Sequence, residues 1–181
     1  MTKEETEISS IFRKIPSNDQ SRAIARDFCE DVLDMAENMR ELIEEAHEKR
    51  IINIGPGIIS LAKVGISTAR QMYGDPWVIE AFLENSYPEW DKILKKEKSY
   101  FLENSFNLFK KIDTENKYVG ELSKVLNSTV CRENDIKTIW SFTFTYVKRT
   151  IKFIHYTRKH EPTYYKNIDI EKYSKLFDVT L

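Results

Sequence analysis

Seven apolar residues constrain this chain more than anything else in it: Ala25, Phe28, Val32, Met35, Met39, Leu42 and Ala46. Their spacings alternate between three and four, which is the repeat of one face of an α-helix and cannot be laid on a strand, where the period is two. Ser17 and Gln20 form a capping-box pattern ahead of them, so the spacing predicts a long helix from about residue 18 to about residue 50. Its other face is acidic, with Glu30, Asp34, Glu37, Glu41, Glu44, Glu45 and Glu48. Such a row is either a solvated face or a docking surface for a basic partner. Within the seam, Met35, Met39 and Leu42 are either core or a groove for a partner helix.

The rest of the chain extends the same architecture. Only 5 Gly and 5 Pro occur in 181 residues, too few turn formers for an all-β fold. Asp75-Pro76 is a helix start, with Asp as cap and Pro in the first turn, and it opens the short helix WVIEAFLEN. Asn85-Ser86-Tyr87-Pro88 reads as a second start. The segment beyond it carries Trp90, Ile93, Leu94, Phe101, Phe106, Leu108 and Phe109, and the charged interruption Lys95 to Lys98 divides it. YVGELSKVLN reads as a short helix. Asn134 reads as the cap of a final long helix, whose inner stripe is Ile136, Trp140, Thr143, Val147, Ile151 and Ile154. A strand over SFTFTYV is the competing reading there, because that stretch alternates polar and apolar. Pro162 ends the helix, and a short helix from about Ile168 to Phe177 packs back through Tyr173, Leu176 and Phe177. These features predict an all-α, single-domain bundle of about six or seven helices over residues 17–181, after a flexible arm over 1–16.

The stretch RIINIGPGIISLAKVGIS, residues 50–67, is the nearest thing to a motif. IINIGPG resembles the first glycine turn of methyltransferases that use S-adenosylmethionine, and of dinucleotide-binding domains. Gly55 and Gly57 are present, but Ser60 stands where the third glycine belongs, and Asp75 opens a helix where a second strand should end. The run Ile58 to Ala69 is about a dozen residues, short of the roughly 20 that span a bilayer. Ser60, Lys63, Ser67 and Arg70 make one narrow polar stripe on it, so residues 58–72 read as a hydrophobic central helix. Ile58, Ile59 and Ile66 are its apolar face, covered by this chain or kept for a partner protein or a membrane surface.

Catalytic chemistry finds little footing. The two cysteines form no Cys-x-x-Cys, and Glu44-Glu45-Ala46-His47 is a single Glu-x-x-His where di-iron bundles carry two. Hydrolase, P-loop and zinc-protease motifs are absent, so no metal or cofactor is expected and no catalytic residue is assigned. The N-terminal residues MTKEETEISS lack a signal pattern, which leads to an intracellular or virion setting as the expectation, with no transmembrane segment. Net charge is −1, yet residues 1–50 carry a net −5 and the remainder a net +4. Residues 136–160 hold six Lys or Arg and no Asp or Glu. Lys148, Arg149, Lys152, Arg158 and Lys159 there form a candidate basic patch, either a solvated helix edge or a track for a phosphate backbone, with Tyr146, Tyr156, Tyr164 and Tyr165 near enough in sequence to stack on bases.

Three resemblances bear on function. Arg149 and His155 resemble the Arg-x(4–6)-His signature of HEPN-type ribonucleases, small all-α proteins in which the pair forms an active site across a dimer. That resemblance implies a phosphate-holding role for Arg149 and an acid or base role for His155. Thr150 departs from the polar residue usual after the Arg, and six positions turn a helix by roughly 240°. Residues 75–109, with Trp77, Pro88, Trp90 and the YFLEN run, resemble small helical proteins of large double-stranded DNA viruses, which implies a structural or host-interaction role. The size and the hydrophobic central helix are similar to those of helical groove-binding apoptosis regulators, although the Asn-Trp-Gly-Arg motif of that family is missing. Taken together, the residues point to a non-enzymatic helical binding or assembly protein. Its partner is a protein, a second copy of itself included. The groove binder and the nuclease or nucleic-acid binder stand as alternatives.

Overall fold

A computed structural model describes residues 18–52, 70, 75–97 and 124–181. The expected arm over 1–16, the glycine turn at 55–57, most of the central helix at 58–72 with Ile58, Ile59 and Ile66, and Phe101 to Phe109 lie outside the described residues. The fold is all-α. The described residues hold five α-helices and one 3₁₀ turn, and Arg70 and residues 124–126 are also helical.

The long helix α1 runs Asp19–Glu48. Its cap is Asn18 and not Ser17: the Asn18 side chain accepts from the Ser21 N–H at 2.7 Å. Asparagine and serine cap about equally well, and the choice is tertiary, because the Asn18 amide also donates to the Tyr156 carbonyl at 3.3 Å. Ala25, Phe28, Met39 and Ala46 of the seam are buried, and Val32, Met35 and Leu42 are partly so.

Helix α2, Pro76–Ser86, starts as its sequence predicts, with Asp75 accepting from the Trp77 N–H at 3.0 Å and Pro76 in the first turn. The second start at Asn85–Pro88 is not a separate one. The chain continues through a 3₁₀ turn, Tyr87–Glu89, into α3, Trp90–Lys95. Asn85 gives its amide to the Ala81 carbonyl and caps nothing. The buried Ser86 hydroxyl accepts from the Trp90 indole N–H at 3.0 Å and so ties the two helices across the turn. Helix α3 ends inside the expected charged interruption, where Lys96 takes a left-handed conformation at φ 52°.

Helix α4 runs unbroken over Glu133–Arg158 and includes the SFTFTYV stretch. Its threonines do not pull it toward a strand, because their hydroxyls bond back into the helix: Thr143 to the Ile139 carbonyl at 3.0 Å, Thr145 to Ser141 at 3.0 Å, Thr150 to Tyr146 at 2.7 Å. The cap is Arg132 and not Asn134, and the Arg132 N–H donates to the Asp135 carboxylate at 2.8 Å. An acidic group in the first turn also suits the positive end of the helix dipole.

The buried face of α4 is wider than the expected stripe. Ile139, Tyr146, Thr150, Phe153 and Thr157 form a second row beside the expected Thr143, Val147, Ile151 and Ile154, while Ile136 and Trp140 are only partly buried. Helix α5, Ile170–Leu176, is capped by Asp169, which accepts from the Lys172 N–H at 2.9 Å. Tyr173 and Phe177 dock on Trp90, with ring centroids 5.0 and 6.1 Å away. Leu176 does not pack back: it is 49% exposed, and Ile168, Ile170 and Ser174 are buried instead.

The frame is an antiparallel pair of α1 and α4. Asn18 and Ser21 meet Tyr156 and Thr157 at one end, and Glu45 faces Arg132 at the other. Helix α2 packs on both, and its Phe82 closes an aromatic triad with Phe28 and Tyr146 at centroid distances of 5.1 to 5.5 Å.

Candidate functional site

The basic residues of α4 divide into two groups once the fold places them. Arg149 is turned toward α1, where its Nε donates to Asp31 at 3.2 Å and its Nη1 to Asp27 at 3.1 Å. Asp27 and Asp31 are one helical turn apart and grip one guanidinium from the same face. Burial holds the Asp31 carboxyl above its ordinary range, and the opposing pull of Arg149 does not cancel it. Arg158 is also used by the fold. It donates to the carbonyls of Tyr164 at 2.8 Å, of Tyr165, and of Ile168 at 3.0 Å, so one guanidinium gathers the turn that leads from α4 to α5.

Lys148 and Lys152 remain, half-buried, on α4, and Lys159 is exposed at its C-cap. Lys148 makes one long bond, 3.5 Å, to the Asp178 carbonyl, and Lys159 sits 4.4 Å above the Tyr156 ring. Lys148, Arg149 and Lys152 line a cleft of about 270 Å³ with Thr145, and its opposite wall is Asp178, Val179 and Thr180. That wall is a residue set the sequence did not single out. It reaches the cleft only because Tyr173 and Phe177 anchor the chain beyond α5 against Trp90.

The tyrosines that could stack on bases are used differently. Tyr146 is fully buried and donates to the Asp31 carbonyl at 3.0 Å. Tyr164 is buried and donates to Glu80, and Tyr165 donates to Glu84 at 2.8 Å. Burial and the nearby Glu80 push the Tyr165 hydroxyl up to about 12. Burial also raises the Glu80 carboxyl, although the Tyr164 hydroxyl opposes this. Arg149 and His155 do not share surroundings. Arg149 faces α1, while His155 lies edge-on to Tyr156, with burial and then Lys159 holding its imidazole below the ordinary range.

The seam candidates sit elsewhere. Met39 is 7% exposed and packs with Leu126 and Ile139, with Met35 and Leu42 partly buried around that cluster. A depression of about 170 Å³ beside it is lined by Met39, Leu42, Ile139, Glu41, Glu45 and Arg132, among others. Along the acidic row, Arg40 pairs with Glu37 and Glu44 at 3.1 and 3.2 Å, Arg70 with Glu37 at 3.5 Å, and Glu45 with Lys49 and Arg132. Asp34, Glu41 and Glu48 are exposed, seven residues apart, and carry no ion pair among the described residues.

Among the described residues, no group of three or more His, Cys, Asp or Glu is placed to hold a metal ion, and no helix is long and apolar enough to cross a membrane. No family model, curated protein or solved structure matches the chain.

Proposed function

We propose that this is a non-enzymatic binding or assembly protein that acts through protein–protein contacts, with a second copy of the chain as its partner. One observation carries the reading: two like-charged rows of opposite sign, at least partly exposed, lie along the two longest helices. Asp34, Glu41 and Glu48 share a face of α1 at heptad spacing, and Lys148 and Lys152 of α4 line up with Lys159 at its C-cap at spacings of 4 and 7. Rows of this kind steer association and fix its register more than they add affinity. The polar groups best suited to chemistry, Arg149, Arg158, Tyr146 and Tyr164, are spent on holding helices together, which favours a surface over an active site.

Light scattering at low ionic strength tests it. The expected result is a species heavier than the 21.4 kDa chain. It should dissociate toward 0.5 M salt, where the screening length falls to about 4 Å. The triple variant Asp34→Asn, Glu41→Gln, Glu48→Gln should stay monomeric throughout. A wild-type chain that is monomeric at low salt and high concentration overturns self-assembly. Loss of single-stranded RNA on incubation, prevented by His155→Ala, would replace the reading with the nuclease one.

A further inference from the structure

We propose that the cleft between α4 and residues 178–180 is a binding site for a phosphate group, free or as a monoester. Its floor and one wall come from α4, where Lys148 and Lys152 stand one helical turn apart with Arg149 between them in sequence. Residues 136–160 contain no carboxylate, so neither lysine has an acidic neighbour along its own helix. The usual i to i+4 pairing that would occupy the ammonium groups is missing. Lys152 is half-buried in the cleft and has no hydrogen bond or ion pair among the described residues. Lys148 has only its long contact to the Asp178 carbonyl. Two ammonium groups therefore face one concavity with most of their donors unused.

Arg149 adds direction more than charge. Asp27 and Asp31 offset its charge and hold the guanidinium through Nη1 and Nε. The Nη2 atom has no bond among the described residues. A guanidinium held by two partners loses little freedom when it donates to a third group. Thr145 offers no donor, since its hydroxyl hydrogen is given to the Ser141 carbonyl at 3.0 Å.

The cleft volume of about 270 Å³ admits a tetrahedral anion with room for a small substituent. Two compact ammonium charges suit a dianion better than a single carboxylate does. The acidic residue Asp178 in the far wall opposes binding. If the cleft binds phosphate, removing that negative charge tightens it. Asparagine is well suited to the left-handed backbone at Asp178, φ 52°, so Asp178→Asn leaves the wall in place. Lys148 and Lys152 also belong to the row proposed to meet a second copy, so phosphate and partner compete for them. Binding is therefore measured on the triple variant Asp34→Asn, Glu41→Gln, Glu48→Gln as well, where it stands or falls without self-association.

The experiment is an amide NMR titration of the full chain at 0.15 M sodium chloride. Inorganic phosphate is the probe, and O-phosphoserine is the monoester arm. The expected result is saturable shifts centred on Lys148, Lys152 and Thr180, with a dissociation constant on the order of 1 mM. Lys148→Ala with Lys152→Ala should weaken binding about tenfold, in line with two partly exposed charge-assisted bonds. Asp178→Asn should tighten it about threefold. Tighter binding of phosphoserine than of phosphate supports a monoester as ligand, and equal binding supports the free anion. Shifts that fail to saturate, that chloride at matched ionic strength reproduces, or that survive the double lysine substitution overturn the proposal. So does weaker binding by Asp178→Asn.

Discussion

Helix α1 is one 30-residue helix, but its two halves are held by different physics. The first half, to about Met35, packs into the large aromatic cluster with α2, α3 and α5. Specific polar bonds also pin it to α4: Asn18 to Tyr156, Ser21 to Thr157, Asp31 to Tyr146 and Arg149. Among the described residues, the second half packs into two small, mainly aliphatic clusters, Met39 with Leu126 and Ile139 beside the partly buried Trp140, and Ile43 and Ala46 with Ile52, Val125 and Val130. Its ion pairs among the described residues are surface ones, some within the helix and two to Arg70 and Arg132 outside it, of a kind that contributes about 0.2–1 kcal/mol each. The contrast teaches that a continuous hydrophobic seam does not mean uniform stability. What ranks the two halves is the size of the side chains opposite and whether buried polar atoms are satisfied.

The largest test of the contrast lies in the aromatic triad. Phe28→Ala removes a fully buried ring in contact with Phe82 and Tyr146 and is expected to cost about 3–5 kcal/mol. Met39→Ala, in the small cluster, is expected to cost about 2 kcal/mol, because a site near the surface collapses more easily. Denaturant unfolding measures both. Equal losses would mean that the halves are equally packed. Amide exchange on the wild type is the companion measurement, with protection higher for residues 21–35 than for 39–48.

The polar contacts come next in size. Arg149→Ala leaves Asp27 and the partly buried Asp31 without their counter-ion. The expected loss at pH 7 is about 1–2 kcal/mol, below the figure for a fully buried pair because these groups are partly exposed. The Asp31 carboxyl already sits above its ordinary range through burial, and without Arg149 it rises further. A group whose folded pKa exceeds its unfolded value stabilises the fold fully below the unfolded pKa, and that contribution is lost as pH rises through the folded pKa. The Arg149→Ala defect should therefore shrink between pH 7 and pH 4. A defect independent of pH would show that Asp31 does not depend on its guanidinium.

Glu80 follows the same sign rule in the wild type, since burial raises its carboxyl. Glu80→Gln keeps an acceptor for the Tyr164 hydroxyl while removing a charge that burial disfavours. Its midpoint at pH 7 should be no lower than that of wild type, and it should lose the part of the stability gain on acidification that Glu80 supplies. Thermal melts across pH 4–7 decide this, and a large loss at pH 7 would mean that the ionised carboxylate is required.

How far all this could be read beforehand depends on the range of the interaction. The seam of α1 and the Asp75-Pro76 start are local patterns, and the chain displays them directly. The helix reading of SFTFTYV was legible from the flanking period, but the buried role of Tyr146, Thr150 and Thr157 was not. Counting apolar residues passes over groups whose hydroxyls are satisfied by helix carbonyls or a partner helix. The same counting placed Leu176 inward, whereas the docking of Tyr173 and Phe177 on Trp90 turns Leu176 out. In the cleft, the lysines were visible as a run without carboxylates. The opposite wall was not, nor was the diversion of Arg149 to Asp27 and Asp31, because these contacts join residues 30 to 122 positions apart.

The smallest effect tests the open end of α1. Arg50 follows the helix with φ 56°, a left-handed conformation that costs a residue with a Cβ roughly 1 kcal/mol and glycine almost nothing. Its side chain is exposed, and its N–H closes the helix on the His47 carbonyl at 3.0 Å, a bond that any non-proline residue keeps. Arg50→Gly should therefore raise stability by about 0.5–1 kcal/mol, even though glycine gives the unfolded chain more freedom. The gain should appear as slower amide exchange in residues 43–49 and leave the aromatic half unchanged. If exchange slows equally at Phe28, the two halves open together and the division of α1 fails. If Arg50→Gly is destabilising, the left-handed turn is not what limits this end, and the small clusters around Ile43 and Ile52 are.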